Sequence, residues 1–166
     1  MDEKRLSRRS PRSLLSKRTC PWLLAYPGNG DTGSGMSRDN AETIRLFYEA
    51  EPDGEDVLQY LDPAVELYPG IRTPDQDTRY VGHDGWKEFT VDAIGLWEAV
   101  DIEPSERLEA TENRILAIDN WLFRGRDGIE IERELPTLFT FRDGLIVRVD
   151  GFTDRAEALK AAGLSE

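Results

Sequence analysis

The chain has one cysteine, Cys20, and one histidine, His83, among its 166 residues. A single thiol excludes an internal disulfide and fits a reducing compartment, so the cytoplasm is the expected location. Zinc bound through histidine or cysteine needs several such ligands, and the acidic residues do not fall at calcium-loop spacing; neither a metal nor a cofactor is expected. No apolar run approaches the roughly 20 residues of a membrane span. Gly125-Arg126-Asp127-Gly128 is glycine-rich, yet no Lys-Ser/Thr follows it and no helix opens there, so it is not a phosphate loop.

What is present is the composition of one globular domain, 39% hydrophobic with four Trp, five Tyr and six Phe. Charge is unevenly placed. Residues 1–35 hold seven Lys/Arg and three Asp/Glu, which leaves 14 basic against 30 acidic groups and a charge of −16 on the rest. So acidic a body repels phosphate backbones, and nucleic acid is not an expected partner. The first 35 residues are rich in Ser, Pro and Gly and read as a disordered extension. Met36 stands directly before Ser37-Arg38-Asp39-Asn40, where a resemblance described below begins, so the natural start is expected there, with the domain over residues 36–164. Ser7-Arg8-Arg9 opens no export signal, because Lys17 and Arg18 interrupt the apolar stretch behind it.

Residues 135–164 carry the clearest local structure. Leu135, Thr137, Phe139 and Phe141 alternate at the strand period, and Asp143-Gly144 suits a two-residue hairpin turn. Ile146, Val147 and Val149 return toward Phe152. Asp154 with Glu157 three residues later opens a helix that Gly163 closes. Upstream, Asp39 with Glu42 caps a helix whose face is Ala41, Ile44, Phe47 and Tyr48. Val57, Tyr60 and Leu61 give a second short helix. Residues 64–68 alternate, with Val65 and Leu67 on one side and Glu66 and Tyr68 on the other. Tyr80-Val81 is a short strand, and Trp86, Phe89, Ala93 and Trp97 recur at helical spacing. Strands are expected over 99–110, 115–124 and 128–142. Helices first and strands last make the class α+β, with a largely antiparallel sheet.

The final strand and helix, RDGLIVRVDGFTDRAEALKAAGL, together with DNAETIRLFYEAEPDGEDVLQYLDPAVELYPG and YVGHDGWKEF, resemble the SnoaL-like branch of the NTF2-like superfamily. The resemblance implies a cone: a curved sheet wrapped around N-terminal helices, a short C-terminal helix, and a pocket at the wide end. It also implies a hydrophobic small-molecule ligand and a homodimer paired through the outer sheet face. The superfamily includes polyketide cyclases, ketosteroid isomerases, epoxide hydrolases, dehydratases and pure binding proteins, so an enzyme and a binding or interaction module both stay open. Ketosteroid isomerases carry acids where this chain has Tyr68 and Thr137, which argues against that activity.

Two carboxylates are candidate acid–base groups. Asp119 and Asn120 are neighbours in an otherwise apolar strand, so one of them faces the core unless a β-bulge or a sheet edge leaves both wet, and parity with Trp121 and Phe123, if those aromatics are core, favours Asp119 as the inward one. In the last hairpin, a strict two-residue turn sets Phe141 against Ile146, Phe139 against Arg148, Thr137 against Asp150 and Leu135 against Phe152, all on one face. Asp150, Asp119 and Arg148 are thus the catalytic candidates. Tyr68, Arg72, Trp86, Trp97, Trp121 and Thr137 are the candidate ligand contacts, with Arg72 in a loop at the expected mouth. His83, in a strand-to-helix junction, is expected to be a turn or capping residue.

Overall fold

A computed structural model describes residues 35–50, 54–71 and 79–165. Residues 1–34, which hold the expected extension, and the loop carrying Arg72 lie outside the described residues. The elements run α1 (Gly35–Glu49), a 3-10 turn (Glu55–Tyr60), β1 (Leu61–Tyr68), β2 (Tyr80–Val81), α2 (Gly82–Phe89) continued by a π turn (Thr90–Ile94), β3 (Ala99–Thr111), β4 (Arg114–Arg124), β5 (Glu130–Arg142), β6 (Leu145–Gly151) and α3 (Arg155–Ala162). The class is α+β, as the order of elements implies. Helix α1 begins at Gly35, so Asp39 lies inside the helix and not at its N-terminal cap.

The six strands form one sheet in the order β2-β1-β6-β5-β4-β3. Every neighbouring pair is antiparallel except β1 with β6. Register shifts interrupt β3–β4 between Pro104 and Glu106 and between Glu109 and Thr111, and β5–β6 between Thr140 and Phe141. Each inserts an unpaired residue and adds twist, and together they curve the sheet. The concave face takes α1, the 3-10 turn and α2 around Ile44, Val57, Leu61, Trp86, Phe139 and Ile146. The convex face takes α3 against Leu116, Ile118 and Leu138. Five successive residues of β4, Ile115 to Asp119, are buried, as a strand covered on both faces requires.

Local chemistry sets the ends. Asp143 and Gly144 both have positive φ, 54° and 77°, the geometry of a type I′ turn. The Asp154 carboxylate accepts the Glu157 backbone N–H, capping α3. Gly163, at φ 76°, closes it while Leu164 N–H returns to the Leu159 carbonyl. Asp154→Ala is expected to cost about 1 kcal/mol in chemical denaturation, since the cap N–H then has only water.

The hairpin pairing departs from the strict-turn expectation. Phe141 does face Ile146, but Phe139 faces Val149 and Thr137 faces Gly151. Val147 is the extra residue, and everything beyond it is displaced by one position. Because side chains alternate, Arg148 and Asp150 turn to the convex face while Phe139 and Thr137 stay concave. The eight residues do not share a face.

Candidate functional site

On the concave face the polar centre is Asp119, at 0% exposure in the middle of β4. Tyr48, from the last turn of α1, donates its hydroxyl to Asp119 Oδ2 at 2.7 Å. Arg107, on β3, donates Nη1 to Oδ1 at 2.7 Å. The shift after Pro104 pairs Arg107 with Ala117 and so brings it to the concave side. Its guanidinium also lies over the Tyr48 ring, 4.7 Å from the centroid. Three side chains from three elements therefore form one buried cluster, and the 8% exposed Arg107 side chain meets a fully covered carboxylate.

Burial pushes the Asp119 carboxyl above the ordinary carboxylate value, against the pull of the Arg107 charge and the Tyr48 hydrogen bond. Burial first, then the Asp119 charge, drives the Tyr48 phenol well up. Tyr48 thus stays a neutral hydroxyl that donates to the carboxylate. Each Asp119 oxygen accepts one of these hydrogen bonds and the side chain is fully covered, so the carboxyl orients its two partners.

An aromatic wall continues from this cluster. Trp121, two residues along β4, stacks on Phe123 with centroids 5.7 Å apart, and Trp97 packs against Phe123 at 5.0 Å. Leu135 is the β5 partner of Asp119, and Thr137 that of Ala117, so both join the concave face. Trp121, Trp97, Thr137 and Asp119 therefore lie on one side of the sheet. Trp86 is elsewhere: it is buried between α1 and α2, 5.5 Å from Phe47, as core. His83 sits in the first turn of α2 and donates Nε2–H to the Leu61 carbonyl at 2.9 Å, tying α2 to β1.

Tyr68, Arg148 and Asp150 gather on the opposite, convex face. Asp150 receives both Nε and Nη2 of Arg148, at 2.8 and 3.0 Å. Arg148 lies 4.5 Å over the Tyr68 ring, because β1 pairs Tyr68 with Asp150 and Glu66 with Arg148. The Asp150 hydrogen bond holds the Arg148 guanidinium even more firmly protonated than usual. Among the described residues no cluster of three His, Cys, Asp or Glu side chains is placed to hold a metal. Sequence reasoning missed Tyr48 and Arg107 as site residues. Their one signal was the need of a buried Asp119 for donors.

No family model and no curated protein matches the chain. Solved structures do. TerC, co-crystallised with polyporic acid, superposes with a TM-score of 0.63 at 21% identity, over 75% of this chain and 98% of that one. A candidate SnoaL-like polyketide cyclase from Jannaschia sp. CCS1 gives 0.62 at 17%, over 82% of this chain and 100% of that one. Rv0760c from Mycobacterium tuberculosis, in complex with estradiol-17beta-hemisuccinate, gives 0.57 at 15%, over 74% and 96%.

Proposed function

We propose that this chain, which has the NTF2-like fold in its SnoaL-like form, binds a hydrophobic, cyclic, carbonyl-bearing small molecule on the concave face of its sheet. The observation that carries the reading is the Tyr48–Asp119–Arg107 cluster beside the Trp97–Phe123–Trp121 wall. Apolar walls with a few fixed polar groups are what such ligands need. Two of the similar structures hold ring compounds, polyporic acid in TerC and a steroid ester in Rv0760c, which supports a cyclic ligand here. Binding is favoured over turnover because the Asp119 carboxyl is fully covered. A second reading, proton transfer through the Tyr48 hydroxyl to Asp119, draws on the raised Asp119 pKa. In that reading Asp119→Asn abolishes turnover, and Asp150→Asn, on the other face, leaves it unchanged.

The test is thermal shift and tryptophan fluorescence of the full chain against polyketides, steroids, terpenoid epoxides and fatty acids. A ligand at 100 times its Kd is expected to stabilise the fold by about 2.7 kcal/mol, with saturable quenching from Trp97 and Trp121. Quenching that survives Trp97→Phe and Trp121→Phe together would place the ligand elsewhere. Silence across the panel would move the weight to a homodimeric interaction module.

A further inference from the structure

The convex face carries a groove of about 410 Å³ between β4, β5, β6 and the end of α3. Its lining includes Arg114, Thr140, Arg148, Leu138 and Phe152. The sheet register explains why these residues converge. Arg114 on β4 pairs with Thr140 on β5, and Thr140 pairs with Arg148 on β6, so the three make one cross-strand row. Neighbouring strands are about 4.8 Å apart, which sets the two arginine backbones about 10 Å apart with the threonine between them. In the next row Leu138 stands beside Asp150.

We propose that this groove is a second binding site, for an apolar monocarboxylate. Arg148 is neutralised by its two-point contact with Asp150. Arg114 is not: among the described residues it has no carboxylate partner and donates only Nη2 to the Ala161 carbonyl, at 2.9 Å. That bond turns the guanidinium toward the groove and leaves four of its five N–H donors for another acceptor. The Thr140 hydroxyl makes no hydrogen bond among the described residues. The groove thus presents one net positive charge and a hydroxyl above an apolar floor of Leu138 and Phe152, complementary to a carboxylate on a small ring or chain. The volume suits a small ligand and is separated by the thickness of the sheet from the Asp119 cluster.

The experiment is a titration of the 15N-labelled full chain with benzoate, followed by NMR, with benzamide as the uncharged counterpart. Benzoate is expected to shift the Arg114 Nε resonance and the amides of Leu138, Thr140 and Ala161 saturably, and benzamide to leave them in place. Arg114→Gln is expected to weaken benzoate about tenfold or more, the loss of a charged hydrogen bond. Should that variant loosen α3, Thr140→Val carries the same sign, because it removes a hydroxyl that makes no hydrogen bond among the described residues. Asp150→Asn is expected to tighten benzoate, because it releases Arg148 to the ligand. The proposal is overturned by an equal response to benzamide, by shifts confined to the concave face, or by unchanged affinity in all three variants. It is equally overturned if these resonances move with protein concentration alone and benzoate does not compete, which would make the groove an interface between copies.

Discussion

Asp119→Ala is expected to lower the unfolding free energy by about 3–5 kcal/mol, the largest single effect in the molecule. The change removes the carboxylate that meets Arg107 at 2.7 Å with only 8% of the arginine side chain exposed, so a buried guanidinium loses its counter-charge. Tyr48 loses its acceptor at the same stroke. The double replacement Arg107→Met with Asp119→Leu is expected to regain most of the loss, because two apolar side chains of similar volume need no desolvation. Urea unfolding followed by circular dichroism reads both. An additive double variant would show that the pair is not coupled. The pH dependence has a fixed sign. Since the folded carboxyl titrates above its unfolded value, its contribution is fully present below the unfolded range, near 4, and is lost as pH rises through the raised folded pKa. Asp119→Asn should abolish that decline.

Gly151→Ala and Gly70→Ala are expected to be the next most damaging substitutions, at or above the roughly 1–3 kcal/mol of an overpacked core. A Cβ on Gly151 would lie 2.5 Å from the Gly70 nitrogen, and one on Gly70 would lie 2.7 Å from the Gly151 carbonyl carbon and the Phe152 nitrogen. These are backbone atoms, so no side chain can move aside. They join the ends of β1 and β6, the only parallel pair among the described strands. The double alanine variant is expected to be worse than either single one, since each methyl meets the other's backbone. Thermal unfolding checks this. Wild-type stability in either single variant would mean that the two strand ends separate freely.

The contrast between these two sites and the hairpin shows what a sequence can carry. Asp143-Gly144, the Asp154 cap and the Gly163 stop were legible because each acts through the backbone within a few residues. Asp119 was legible because strand alternation is equally local. Val147 was not: a β-branched apolar residue suits a strand on either face, and nothing in Ile146-Val147-Arg148 marks which position is extra. That one residue sent Arg148 and Asp150 to the convex side. Tyr48 and Arg107 were invisible as a pair with Asp119 for another reason. The tyrosine is 71 positions from its acceptor, and the arginine reaches it only through the irregularity after Pro104. Gly70 against Gly151 is likewise a meeting of distant backbones, with no periodicity to announce it.

Helix α1 is fastened to the two hairpin turns at its end of the sheet. Asn40 donates Nδ2 to the Glu112 carbonyl, across 72 positions, and Thr43 donates Oγ1 to the Gly144 carbonyl, across 101. Neither carbonyl is in place until its own turn has formed, and closing such long intervals is slow. The helix is therefore seated on both turns at once, and the meeting of Tyr48 with Asp119 depends on backbone 72 and 101 positions away from the residues that hold the helix in place.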